Sequence, residues 1–85
     1  MEKITLKYPV KNGDTEITEV SIRRPKVKDT MKPDFITESE YEIKVVSNVT
    51  SLPEDVIQEM DLADYAEIQE KITNFLPEKL RIMKQ

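Results

Sequence analysis

The stretch Ile22-Arg23-Arg24-Pro25-Lys26-Val27-Lys28 divides this chain into two unlike parts. Before it, apolar residues recur at every second position; after it, they recur every three or four. The first period belongs to a half-buried strand and the second to an amphipathic helix. Pro25 falls at the change. Its fixed φ suits the first turn of a helix, and its missing N–H bars it from a central strand. The chain is 85 residues long, enough for one domain with a small core. The expected organisation is a β-hairpin over 1–24, a helical part over 25–76 and a tail or short helix over 77–85.

Ile4, Leu6, Tyr8 and Val10 alternate with Thr5, Lys7 and Pro9, which predicts a first strand burying the former set. Pro9 donates no ladder bond, so it belongs on an edge or at an unpaired position. Lys11-Asn12-Gly13-Asp14 reads as a turn, followed by a strand from about Glu16 to Arg23 with Thr18, Val20 and Ile22 on one face. A two-residue Asn12-Gly13 turn would set Leu6 opposite Glu19 and Ile4 opposite Ser21. A loop of three or five residues sets Leu6 opposite Val20, Ile4 opposite Ile22 and Tyr8 opposite Thr18. Matching apolar faces favours the odd-length loop, although Asn-Gly is a two-residue turn signal.

A lone hairpin is marginal in water and needs a cover. Val27 and Met31, spaced i, i+4 behind Pro25, predict a short helix that Pro33 ends. Thr37 and Glu40 have capping-box spacing, with Tyr41, Val45 and Val49 following at intervals of four. Residues 41–50 also alternate and are rich in β-branched side chains; the cap and the acidic first turn decide for helix. Ser51 and Glu54 repeat the cap spacing, with Pro53 in the first turn and Val56, Ile57 and Met60 beyond it. Asp61 is the predicted cap of a further helix, with Asp64 in its first turn. Its apolar stripe reads Leu62, Tyr65, Ala66, Gln69, Ile72, Phe75 and Leu76. Pro77 stops that helix or starts a last one with Leu80 and Met83 on one side. The predicted fold class is α+β: an N-terminal hairpin followed by three to five short helices packed on it.

The net charge of −4 is unevenly spread. Residues 1–32 carry eight Lys/Arg against five Asp/Glu, 33–70 one against eleven, and 71–85 four against one. An acidic middle is repelled by a phosphate backbone, which disfavours nucleic acid as a general partner. The polarity lets one copy meet another head to tail, or a basic partner; it is equally what solvated helix faces look like. There is no His and no Cys, hence no common zinc site, disulfide framework or usual nucleophile–base pair. The single glycine cannot build a phosphate-cradling loop. The clustered carboxylates, Glu38, Glu40 and Glu42, Glu54 and Asp55, Asp61 and Asp64, all fall near helix starts, where the dipole explains them. No enzyme, cofactor, metal or small-molecule substrate is expected. The N-terminus lacks a signal-peptide pattern and no apolar run approaches a membrane span, so a soluble cytoplasmic protein is expected.

Two features look outward. Arg23, Arg24, Lys26 and Lys28 place four cations in six positions, beside a helix start where the dipole disfavours them. They read either as a contact for an acidic partner or as a solvated strand end. Leu80 and Met83, with Ile82, make the tail the best candidate for exposed apolar surface, because so small a domain cannot bury every apolar face. The expected partner-binding residues are therefore Arg23, Arg24, Lys26, Lys28, Leu80 and Met83.

Four segments also carry a resemblance: Leu6-Lys7-Tyr8-Pro9-Val10, Ile22-Arg23-Arg24-Pro25-Lys26-Val27-Lys28-Asp29, Leu52-Pro53-Glu54-Asp55-Val56 and Met60-Asp61-Leu62-Ala63-Asp64-Tyr65. Together they resemble the phage tail assembly chaperones of the Mu-like group, from about Lys3 to Leu76. The distinctive parts are the Arg-Arg-Pro-Lys-Val junction and the Asp-Leu-Ala-Asp-Tyr start of the last helix, neither a catalytic signature. The resemblance implies a non-catalytic protein, made in the bacterial host cytoplasm from a phage or prophage. It would coat the long, helix-rich tape measure protein before the tail tube forms around it, and be absent from the mature virion. The alternatives are a small self-assembling structural subunit of a tail, and a regulatory protein binding nucleic acid through Arg23 to Lys28.

Overall fold

The computed structural model describes residues 2–76, so Leu80, Met83 and the expected tail lie outside the described residues. The chain begins with strands β1 (Glu2–Asn12) and β2 (Thr15–Ile22), an antiparallel two-stranded sheet. A 3-10 turn (Val27–Thr30) follows, then helices α1 (Glu38–Thr50), α2 (Glu54–Gln58) and α3 (Leu62–Phe75). The α+β class and its hairpin-then-helices order are as the periodicity predicts.

The hairpin corrects the predicted register. Asn12 pairs with Thr15, closing a two-residue Gly13-Asp14 turn with Gly13 at φ 65°. Glycine has no Cβ to clash in that left-handed conformation. Near the turn Val10 faces Ile17; at the open end Ile4 faces Val20 and Glu2 faces Ile22. The predicted pairs Leu6–Val20, Ile4–Ile22 and Tyr8–Thr18 do not form. Between the two registers, residues 6–9 of β1 stand opposite Thr18 alone. This is a β-bulge, and it matches the apolar faces without an odd-length loop. Only an unbroken ladder requires the odd-length loop, and this ladder breaks between Thr5 and Val10. Within the bulge Leu6 stays buried while Tyr8 turns outward at 58 % exposure, and Ile17, not Thr18, lines the inner face. Pro9 sits in the bulge, where no ladder bond is lost.

The 3-10 turn also departs from expectation. A short helix does follow Pro25, but Val27 and Met31 are 82 % and 72 % exposed, and the residue it buries is Asp29. In α1 the capping box forms: Thr37 Oγ1 accepts the Glu40 amide at 3.1 Å, and the Glu40 carboxylate accepts the Thr37 amide at 3.2 Å. Residues 41–50 are helical. The predicted Ser51–Glu54 box does not form. Ser51 ends α1 in the left-handed conformation, φ 60°, whereas an N-cap must be extended; Pro53 holds that place for α2. Asp61 caps α3 as predicted, accepting the Ala63 amide at 2.9 Å.

The α3 stripe has the predicted period, and Tyr65, Ile72 and Phe75 face the core as predicted, but its first half is turned. Asp64, Ile68 and Ile72 are the buried residues, Tyr65 and Phe75 pack partly against the core, and Leu62 and Ala66 face outward. Helices α2 and α3 cover β1, while α1 packs on α2 and on the end of β2. The core joins Ile4, Leu6 and Val10 of β1 with Val20 and Ile22 of β2. Val46 and Val49, then Val56, Ile57 and Met60, then Ile68 and Ile72 close it from the helical side. Among the described residues no helix is long and apolar enough to cross a membrane.

Candidate partner-binding surface

The junction between hairpin and helices is pinned by one ion pair. The two terminal nitrogens of the Arg23 guanidinium donate to Asp29, Nη1 at 2.9 Å to Oδ2 and Nη2 at 3.1 Å to Oδ1. A bidentate fork of this kind is stronger and more directional than a single bond. Asp29 Oδ2 also accepts the Lys26 amide at 2.7 Å, and the Tyr41 hydroxyl donates to the Asp29 carbonyl at 3.0 Å. The Arg23 hydrogen bond, aided by the Lys26 amide, holds the Asp29 carboxyl below the usual carboxylate range and pushes Arg23 up. Burial raises the Tyr41 hydroxyl, and the charges of Asp29 and Glu38 add to it. The Arg23 amide bonds the Val49 carbonyl at 3.0 Å, tying the end of β2 to α1.

The four junction cations therefore divide. Arg23 serves Asp29. Arg24 lies over the Phe75 ring, 5.2 Å from its centroid, and donates to the Phe75 carbonyl at 3.4 Å. Both fix the junction to the rest of the fold. Lys26 and Lys28 point outward and are exposed.

Drawing Asp29 inward turns its apolar neighbours out. Val27 and Met31 flank it, and Phe35 is 88 % exposed while the adjacent Ile36 is buried. Between this connecting segment and α1 runs a groove of about 260 Å³. Lys28, Asp29, Met31, Pro33 and Phe35 form one wall; Tyr41, Lys44, Val45 and Asn48 form the other. Residues 41, 44, 45 and 48 share one helix face, so the α1 wall presents a continuous strip. Chemically the groove is apolar with cations in its lining: Asp29 is taken by Arg23, and Lys28 and Lys44 supply the positive charge. Lys44 is paired with Glu54 at 3.0 Å, both side chains roughly half exposed. Sequence reasoning singled out the cations but missed Met31 and Phe35 as surface. The available signal was Phe35 standing beside Asp34 between Pro33 and the Thr37 cap, where no helix or strand face claims it.

Asp64 stands in the first turn of α3, as the dipole reading expects, and does more than that. It is 1 % exposed, and its two oxygens accept the backbone amides of Lys7 and Tyr8 at 3.0 Å each. It closes the bulge. Among the described residues, no three His, Cys, Asp or Glu side chains are grouped to hold a metal ion.

The family model described as "Phage tail assembly chaperone proteins, E, or 41 or 14" matches residues 3–77. The chain belongs to this phage tail assembly chaperone family. No curated protein and no solved structure matches it. The match takes in the hairpin, the junction and helices α1 to α3 of the tail assembly chaperone, so the Arg23–Asp29 lock and the outward-turned Met31 and Phe35 lie inside the family region. Membership implies a protein partner in tail assembly.

Proposed function

We propose that this chaperone binds the tape measure protein, in the manner implied by its resemblance to the Mu-like group, and keeps it soluble until the tail tube encloses it. The role is non-catalytic, is carried out in the host cytoplasm, and ends before the virion is complete. The observation that carries this reading is the exposed apolar set Val27, Met31 and Phe35 on the segment joining hairpin to helices. Three large apolar side chains within nine positions, turned outward beside the half-buried Arg23–Asp29 pair, are costly to a free monomer and useful to a holdase. Lys26 and Lys28 border the set as an auxiliary contact, with Arg23 and Arg24 behind them; Leu80 and Met83 belong to the proposal on their sequence alone. Many copies, each binding weakly along one long chain, hold it strongly in aggregate and still release. A net charge of −4 keeps the coated complex dispersed.

Co-expression with the tape measure protein is the test. The expected result is that the tape measure protein stays in the supernatant and elutes with the chaperone. If it is equally soluble without the chaperone, and no complex elutes, the reading is wrong.

A further inference from the structure

Resting on the proposed role, we infer that the groove between the connecting segment and α1 seats an amphipathic helix of the partner, with apolar residues one turn apart and acidic residues on its flanks. Three observations carry this. First, the α1 wall is a helix whose backbone groups are already paired, so it offers an extended peptide no ladder partner along that side. An occupant whose backbone is satisfied internally avoids leaving amides unbonded in an apolar groove. Second, the wall from Tyr41 to Lys44, Val45 and beyond runs about 10 Å at 1.5 Å per residue, room for two anchors one helical turn apart. The facing wall supplies Met31 and Phe35, a flexible thioether and a ring, which adapt to different apolar anchors. Third, the charges within the lining favour an acid, although Glu38 and Glu54 stand near Tyr41 and Lys44. The single carboxylate in the lining is bound by Arg23, while Lys28 lies open and Lys44 holds Glu54 only through an exposed pair that another carboxylate can replace. An acid-flanked helix meets two cations there; a lysine-flanked one is repelled.

The test uses the full chain and synthetic helical peptides carrying leucines at i, i+4 and i+7, flanked by either glutamate or lysine, followed by fluorescence anisotropy. The glutamate peptide is expected to bind at least about tenfold more tightly than the lysine peptide. Phe35→Asp is expected to lose that binding at least about tenfold, while Leu62→Asp, an exposed apolar site on α3, keeps it. Lys28→Glu is expected to abolish the preference for glutamate flanks. Met31→Asp repeats the Phe35 test should that variant fail to fold, with circular dichroism as the check. Equal binding of both peptides, no binding of either, or an unaffected Phe35→Asp overturns the inference. So does sedimentation showing that the groove is already filled by a second copy, released by Phe35→Asp.

Co-expression separates this from the role itself. If wild type and Phe35→Asp hold the tape measure protein equally, the groove is wrong and the role stands. If wild type holds none while the glutamate peptide still binds, the role is wrong and the groove stands.

Discussion

Asp64 and Tyr8 are 56 positions apart, yet Asp64 Oδ2 accepts the Tyr8 backbone amide at 3.0 Å. Oδ1 of the same carboxylate accepts the Lys7 amide at the same distance. The two amides fall in the bulge, where β2 offers them no ladder partner, and the next residue, Pro9, has no amide to satisfy. The carboxylate lies in the first turn of α3, so the positive end of the helix dipole stabilises it as well. One side chain thus fastens the last helix to the first strand.

Removing that clamp is expected to cost more than removing a surface cap. Asp64→Ala strands two amides and should destabilise the domain by about 3 kcal/mol, with faster hydrogen exchange at Lys7 and Tyr8. Asp61→Ala removes an exposed cap and should cost about 1 kcal/mol. Urea titration of both variants checks the order; Asp64→Asn serves should the alanine variant not fold. A smaller loss for Asp64 than for Asp61 refutes the clamp.

Stability should fall in acid through Asp29. Its folded carboxyl is held below the unfolded value, first by the Arg23 hydrogen bond. Stability from this group is therefore fully present above the ordinary carboxylate range and is lost as pH drops from there towards the depressed folded value. Arg23→Ala should cost about 2 kcal/mol near neutral pH, less than a fully buried pair because Arg23 is partly exposed. It should also flatten the acid limb of a stability–pH curve. An acid limb unchanged in the variant assigns it to other carboxylates.

The phase of α3 is open to a paired test. Ile68 is 0 % exposed and Leu62 77 %. Ile68→Ala should cost about 3 kcal/mol and Leu62→Ala less than about 0.5 kcal/mol. Thermal or denaturant melts decide between this phase and the one with Leu62 inside.

Ser51 should tolerate, and gain from, glycine. At φ 60° its Cβ is strained, and glycine removes the strain, so Ser51→Gly should stabilise by roughly 0.5–1 kcal/mol. Were Ser51 an N-cap for α2, the same change would bring no gain. The shift in denaturation midpoint distinguishes the two.

Much of this architecture was legible because it depends on near neighbours. The Thr37–Glu40 box and the Asp61 cap involve residues within one turn, so spacing alone predicts them. Ser51 shows where that logic stops. It has the right spacing to Glu54, but the left-handed close of α1 claims its backbone first. The cations at the junction were visible as a cluster, but not their division of labour, since Arg23 serves a buried Asp29 and Arg24 a distant Phe75.

Period, caps and the break at Pro25 set by themselves the order of elements: a ribbon first, then helices with apolar faces. Local sterics and hydrogen bonding within a few residues suffice for that. Only the tertiary structure decided which face of each helix turns inward, how the ribbon's register breaks, and that Met31 and Phe35 stay outside. Those outcomes turn on two buried carboxylates, Asp64 and Asp29, whose partners are the amides of the bulge and the guanidinium of Arg23. A buried charge must find its partners wherever the fold brings them, and spacing along the chain does not reveal where that is.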